Sequence, residues 1–205
     1  MNQNDEIRTK NFFRNKFKEH GDSPQASDWG KEQSQLVRSQ VFTNYFNCEG
    51  KKILDIGCGL GYFYKHLKNN NINCSFTGYD LVQEVVNMAS EKYPQAKFES
   101  KNILTDEINE NFDLIFLSGA FNYKIDNHLD WVKLMIKRMF ELANEGVAFN
   151  ILSINADFMD DVYYYGNPKE LIDYCLSLTR NVCLRHDYYP HDFTIFMSKN
   201  EWSKK

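Results

Sequence analysis

The stretch Lys52-Ile53-Leu54-Asp55-Ile56-Gly57-Cys58-Gly59-Leu60-Gly61 decides the fold. Its first five residues have the composition of a short buried strand, and three glycines follow at alternate positions. Glycine lets the backbone turn tightly and lets a ligand approach with no Cβ in the way. The helix expected from about Leu60 aims its free N–H groups at that ligand. A second strand ends near Asp80, 19 residues beyond Gly61. A carboxylate there stands beside the loop, where it can accept both hydroxyls of a ribose. Strand, glycine loop, helix and acid in this register point to an adenosine-containing cofactor.

Outward from this stretch, short apolar runs alternate with amphipathic segments, the pattern of an α/β domain with a doubly wound, mostly parallel sheet. Strands are expected at residues 52–56, 75–79, 97–100, 114–117, 147–152, 181–185 and 193–197. Val82, Val85, Val86 and Ala89 stripe a helix that Pro94 ends. Val132, Met135, Ile136, Met139 and Phe140 stripe another from Leu129, with Gly146 as its expected stop. Asn167-Pro168-Lys169-Glu170 carries a cap, a first-turn proline and an acid at the third position, so a helix starts there. The last two strands are separated only by Asp187 to Asp192, too short for a crossover helix, so they form an antiparallel hairpin. Residues 1–46 are expected to be a helical cap or lid, broken in two by Gly21-Asp22-Ser23-Pro24, on a main domain of residues 47–205. In the first cap helix Arg8, Lys10, Arg14, Lys16 and Lys18 interleave with Asp5, Glu6 and Glu19, which reads as a solvated face.

Composition bounds the function. A chain of 205 residues with 42% hydrophobic and 15% aromatic content suits one core with a small lid. A formal net charge of -4 offers nothing to a phosphate backbone, so no nucleic-acid partner is expected. Five cysteines without a C-x-x-C pair read as reduced thiols of a cytoplasmic protein. No apolar run approaches the ~20 residues that cross a bilayer, and the polar start lacks the apolar core of a signal peptide. No membrane partner is expected; the oligomeric state is open.

The loop itself discriminates between cofactors. In the dinucleotide pattern G-x-G-x-x-G the third glycine lets helix and strand pack closely. Here Gly61 comes one place early and Tyr62 holds the dinucleotide position, which crowds a pyrophosphate. Asp55 before the loop argues against phosphate and for an ammonium group.

Residues 53–61 resemble motif I of the class I S-adenosylmethionine-dependent methyltransferases, and Phe76-Thr77-Gly78-Tyr79-Asp80 resembles their second strand. The resemblance covers roughly residues 51–198 and implies a seven-stranded sheet whose final strand is antiparallel, with S-adenosyl-L-methionine as cofactor. It implies that Asp55, Gly57, Cys58, Gly59 and Gly61 hold the methionine part, that Asp80 with Leu81 holds the ribose, and that Ser118 and Gly119 lie beside the methyl group. Phe98 through Asn102 and Ile103 resembles the segment that usually ends in an Asp on the adenine amino group. Asn102 stands in that place, and its side-chain oxygen can still accept, without charge assistance. Asp28 through Arg38 looks like the covering helix of small-molecule methyltransferases, with Trp29 stacking on a ligand or anchoring the core and Arg38 meeting the methionine carboxylate.

An acceptor is expected where three segments meet at the carboxyl ends of the strands: residues 118–124, 153–165 and 185–192. His186 and His191, in a turn that also holds Asp187, Tyr188 and Asp192, are candidate general bases for a hydroxyl acceptor. The alternative reading is that they only cap and rigidify the turn. A metal is not expected, because a third ligand is lacking. Asn122 is expected to orient the acceptor, Lys124 to neutralise an acidic one and Tyr164 to line its pocket or pack on the neighbouring helix. The expected reaction moves a methyl group to an oxygen, or less readily a nitrogen, of a small polar acceptor such as a sugar, sugar nucleotide or phosphate-like group of a surface-glycan precursor. An NAD-dependent oxidoreductase and a non-catalytic S-adenosylmethionine-binding protein remain the alternatives.

Overall fold

The structure is a computed structural model, which describes residues 1–27 and 32–199. Five strands, β1 (Lys52–Ile56), β2 (Ser75–Asp80), β3 (Lys97–Ser100), β4 (Phe112–Leu117) and β5 (Ala143–Leu152), run parallel. They alternate with helices α3 (Tyr62–Asn69), α4 (Gln83–Lys92) and α5 (His128–Leu142). Helix α6 (Pro168–Leu178) then leads to β6 (Val182–Arg185) and β7 (Asp192–Ser198). The sheet order is β3-β2-β1-β4-β5-β7-β6, and β7 runs antiparallel to both β5 and β6. The expected terminal hairpin is therefore present, with β7 inserted between β5 and β6.

Side chains alternate across the sheet with the period of two that a strand imposes. Ile115 and Leu117 of β4 and Val147 and Phe149 of β5 join the core under α5 and α6. Leu114 and Phe116 of β4 and Ala148 of β5 join the opposite core, under α2 (Glu32–Tyr45), α3 and α4. Because β1 has β2 on one side and β4 on the other, the carboxyl ends of β1, β2 and β4 open a crevice at the switch point.

Local chemistry sets several boundaries. Asn167 caps α6 by accepting from the Lys169 N–H at 3.0 Å, with Pro168 in the first turn. The amphipathic segment preceding the crevice begins at α1 (Gln3–His20), whose end at Gly21 has φ 58°, and a short 3-10 turn follows at Pro24–Ser27.

Gly146 is not the stop of α5. That helix ends at Leu142 and the chain passes directly into β5, so Gly146 lies inside a strand. Its missing side chain makes room for a ring: a Cβ there would stand 2.5 Å from Phe46 Cζ and 3.0 Å from the Met197 carbonyl oxygen. Phe46 in turn packs edge-on against Phe116 and Phe196, so it has little freedom to retreat. A Gly146→Ala substitution is expected to destabilise the fold by about 1–3 kcal/mol, read as a lower urea midpoint with unchanged slope.

Candidate functional site

The glycine loop is shaped by two requirements met at once. Gly57, Gly59 and Gly61 all have positive φ, at 70°, 51° and 78°, a region that disfavours residues with a Cβ. A Cβ at Gly57 would also come within 2.7 Å of Ala120 Cβ. The loop is tied to β2 by hydrogen bonds from the Gly57 and Cys58 N–H groups to the Tyr79 carbonyl, at 2.7 and 3.1 Å. Asp80 completes the tie, its carboxylate accepting from Gly59 N at 3.0 Å and from Val82 N at 3.0 Å.

Burial holds the Asp80 carboxyl above the usual carboxylate range, against the backbone N–H groups that lower it. Asp55, 3% exposed, is pushed well up by burial first and by the Asp80 charge second. Cys58 is buried beside both and its thiol is pushed well up, so it is a packed thiol and not a nucleophile. Asp80 floors the crevice with Asp55 buried behind it; burial disfavours the charged forms of both, which a cation bound in the crevice would favour.

Above this floor lies a cavity of about 450 Å3. Of the residues expected to hold a cofactor, Arg38, Gly57, Gly59, Asp80, Leu81, Asn102, Ile103, Ser118 and Gly119 line it. Asp55, Cys58 and Gly61 stand behind the wall. Trp29 lies outside the described residues. The Ser118–Gly119 turn is held from β5: Asn150 donates to Ser118 Oγ at 3.0 Å and accepts from Gly119 N at 2.9 Å. Arg38 of α2, 5% exposed, lines the cavity while its Nε and Nη2 contact the fully buried Asp192 of β7. Its guanidinium also sits 5.7 Å from the centre of the Tyr189 ring.

The expected acceptor residues are dispersed. Asn122 lines the cavity, its Oδ1 accepting from Leu152 N at 3.2 Å. His186 does not line it; its ring meets Phe193 edge-on. His191 stands one layer out, between Phe158 and Tyr189, with a buried Nδ1 that has no hydrogen-bond partner. Asp187 is exposed and forked onto Arg185 at 2.9 and 3.0 Å. Tyr188 bonds Thr194 at 2.8 Å, and burial pushes its hydroxyl far above the ordinary tyrosine range. Tyr164 is stacked on His128, 4.0 Å between ring centres, so it packs on the neighbouring helix, and its neighbour Tyr163 reaches the cavity instead. Lys124 borders a separate surface hollow with Arg8, Asp126 and Asp161.

Lining residues that escaped the sequence reading include Met1 ahead of α1 and Thr9 and Phe13 within it; Ser34 belongs to the expected covering helix, and Tyr123, Tyr163 and Tyr189 to the three segments where the acceptor was expected. The charges of α1 do not mark a purely solvated helix. Arg14 bonds Glu84 at 2.7 Å, Glu6 bonds Asn102 at 2.8 Å and Phe12 stacks on Tyr123 at 4.3 Å, so the helix lies against α4 and the loops after β3 and β4. The phenylalanines Phe12, Phe13 and Phe17 within the charged run were the available signal.

His128 organises the loop after β4. Its Nδ1 accepts from Ile125 N at 3.1 Å, so the proton must sit on Nε2, which donates to the Phe121 carbonyl at 2.9 Å. Burial holds its pKa down from 6.5 to about 4. Between these values the unfolded chain takes up a proton that the native ring refuses, so stability is lost as pH falls from 6.5 to 4, by up to about 3 kcal/mol. Urea midpoints measured across that window are expected to fall, and to fall less steeply in His128→Gln.

Comparison with known proteins places these features in context. Residues 47–203 match the family described as "Methyltransferase domain". A protein of Mycobacterium tuberculosis named as a methyltransferase is 28% identical over 154 residues, covering 72% of this chain and 92% of its own length. Phosphoethanolamine N-methyltransferase of Plasmodium falciparum is 36% identical over 98 residues, 46% of this chain and 35% of that one. Magnesium protoporphyrin IX methyltransferase of Synechocystis, solved with bound S-adenosylhomocysteine, shares the fold with a TM-score of 0.71 at 12% identity, over 96% of this chain and 100% of that chain.

Proposed function

The chain belongs to the methyltransferase-domain family, and on that premise we propose that it moves a methyl group from S-adenosylmethionine to an oxygen of a small polar acceptor. The observation that carries the cofactor assignment is the acidic floor: Asp55 and Asp80 flank a glycine loop that leaves no space for a Cβ at Gly57. That floor suits an ammonium and a sulfonium and repels a diphosphate. The bound cofactor would supply an activated methyl group, and the protein's task is to align the acceptor and exclude water.

On this reading Asp80 holds the ribose, Asn102 and Ile103 the adenine, and Gly57, Gly59 and Arg38 the methionine part, with Ser118 and Gly119 beside the methyl group. The acceptor sits between Asn122 and the tyrosines Tyr123, Tyr163 and Tyr189. Asp80 is the sole carboxylate among the described lining residues, and it is committed to the cofactor end. A protonated amine would therefore find no counter-charge at the acceptor end, whereas a hydroxyl finds donors and acceptors in Asn122 and the tyrosines. This supports oxygen over nitrogen, and a sugar hydroxyl or phosphate-like oxygen as the class.

Of the two histidines, His191 is the proposed proton acceptor, because its ring stands edge-on to Tyr189 of the cavity wall, 5.9 Å between ring centres. His186, packed on Phe193, is given no role in the chemistry.

Calorimetry is expected to give a micromolar Kd for S-adenosylhomocysteine and no heat with NAD; the reverse result would replace the reading with an oxidoreductase. Label from methyl-labelled S-adenosylmethionine should appear on sugars, sugar nucleotides or phosphorylated alcohols, and label confined to amines would sink the oxygen assignment. His191→Ala should lower turnover by about 10²–10⁴-fold, leaving the S-adenosylhomocysteine Kd intact; His186→Ala should leave turnover near wild type.

A further inference from the structure

One face of α1 carries Glu6, Thr9 and Phe13 at the i, i+3, i+7 spacing of a helix stripe. Thr9 and Phe13 line the cavity, and Glu6 reaches its wall through Asn102. Phe13 packs in a cluster with Val82 and Val85, immediately after Asp80. Glu6 accepts from Asn102 Nδ2 at 2.8 Å. Thr9 lines the cavity itself.

Thr9 is the anomaly. Hydroxyls inside helices usually return to the carbonyl four residues back, and Ser39, Thr43 and Ser90 do so here, at 3.0, 3.2 and 3.0 Å. Thr9 does not. Its residue is only 9% exposed, yet Oγ1 has no hydrogen-bond partner. A buried hydroxyl left unsatisfied is costly. Thr9 lines the cavity wall, so a turn about its χ1 would bring this buried hydroxyl to a ligand that completes it.

Glu6 acts one step further away. A carboxylate can only accept, so the amide of Asn102 must turn Nδ2 toward Glu6 and keep Oδ1 on its other side. The Leu104 N–H, donating to that Oδ1 at 3.0 Å, imposes the same orientation. A carbonyl oxygen has two lone pairs, so one remains for a donor in the cavity.

We propose that this face of α1 is part of the cofactor's nucleoside site: Thr9 Oγ1 is a direct ligand of the adenosine, and Glu6 is a positioning residue that holds Asn102 ready to accept from an amino group on the base. The location follows from the sheet. Asp80 ends β2 at the ribose position, and Asn102 follows β3, one strand farther out, where the base must lie. The proposal rests on the cofactor reading above.

Titration of the full chain with S-adenosylhomocysteine tests it. Thr9→Val keeps the shape and removes the hydroxyl; Kd should rise roughly threefold to tenfold, while the thermal midpoint without ligand holds or rises because a buried orphan is gone. Thr9→Ser should recover most of the affinity. Unchanged affinity in Thr9→Val, or no recovery in Thr9→Ser, overturns the direct contact. For Glu6, wild type should prefer S-adenosylhomocysteine over S-inosylhomocysteine, whose base carries an oxygen in place of the amino group, and Glu6→Ala should narrow that preference. An undiminished preference overturns the positioning role. Wild type that binds neither compound overturns the cofactor reading itself, and binding by wild type with no change in the variants overturns this inference alone.

Discussion

The carboxylate of Asp80 accepts hydrogen bonds from the backbone of Gly59 and of Val82, and the geometry of the crevice depends on that pair of contacts. One bond fixes the glycine loop after β1, and the other fixes the turn into α4 after β2. Together they clamp two parallel strands at their carboxyl ends. A carboxylate has about four acceptor positions, so spending two on the backbone leaves others for ribose hydroxyls. The same residue shapes the pocket and lines it.

The electrostatics of the crevice follow from where charges are allowed to pair. Asp55 and Asp80 sit on adjoining strands with no salt-bridge partner among the described residues, and burial raises both pKa values. Arg38 is buried too, but Asp192 compensates it from β7. That buried pair spans 154 residues of chain and joins the second cap helix to the hairpin. Removing either partner would leave a bare buried charge, a change that costs several kcal/mol. One end of the cavity is thus acidic and suited to a cation, while the other is lined by tyrosines and amides.

The N-terminal helix shows how a charged sequence can line a binding site. Its ionic residues reach outward and sideways, to Glu84 and along the helix itself, while Thr9 and Phe13 face inward. Contacts to the loops after β3 and β4 and to α4 bring the helix across the cavity mouth. Domain boundary and binding site are therefore different divisions of the chain: the family match begins at residue 47, yet α1 and α2 contribute to the wall of the cavity.

The alternation of apolar runs and the glycine loop made the sheet legible, because a buried parallel strand must be apolar and a ligand-facing turn must lack Cβ atoms. The short link between the last strands made the hairpin legible for the same kind of local reason. Gly146 misled, since a glycine after a helical stripe looks like a stop until Phe46, distant in sequence, is seen to need its space. Asp80 was locatable from its spacing to the loop, and Asn102 through the resemblance of its segment to the family. By contrast, no local rule marks Thr9 as a wall residue, Tyr163 rather than Tyr164 as the one facing the cavity, or His191 as a layer removed from it. Short-range periodicity and turn chemistry belong to the sequence by itself; the choice of which polar groups share a buried volume was made only by tertiary packing, because burial and partnership arise between elements and not within them.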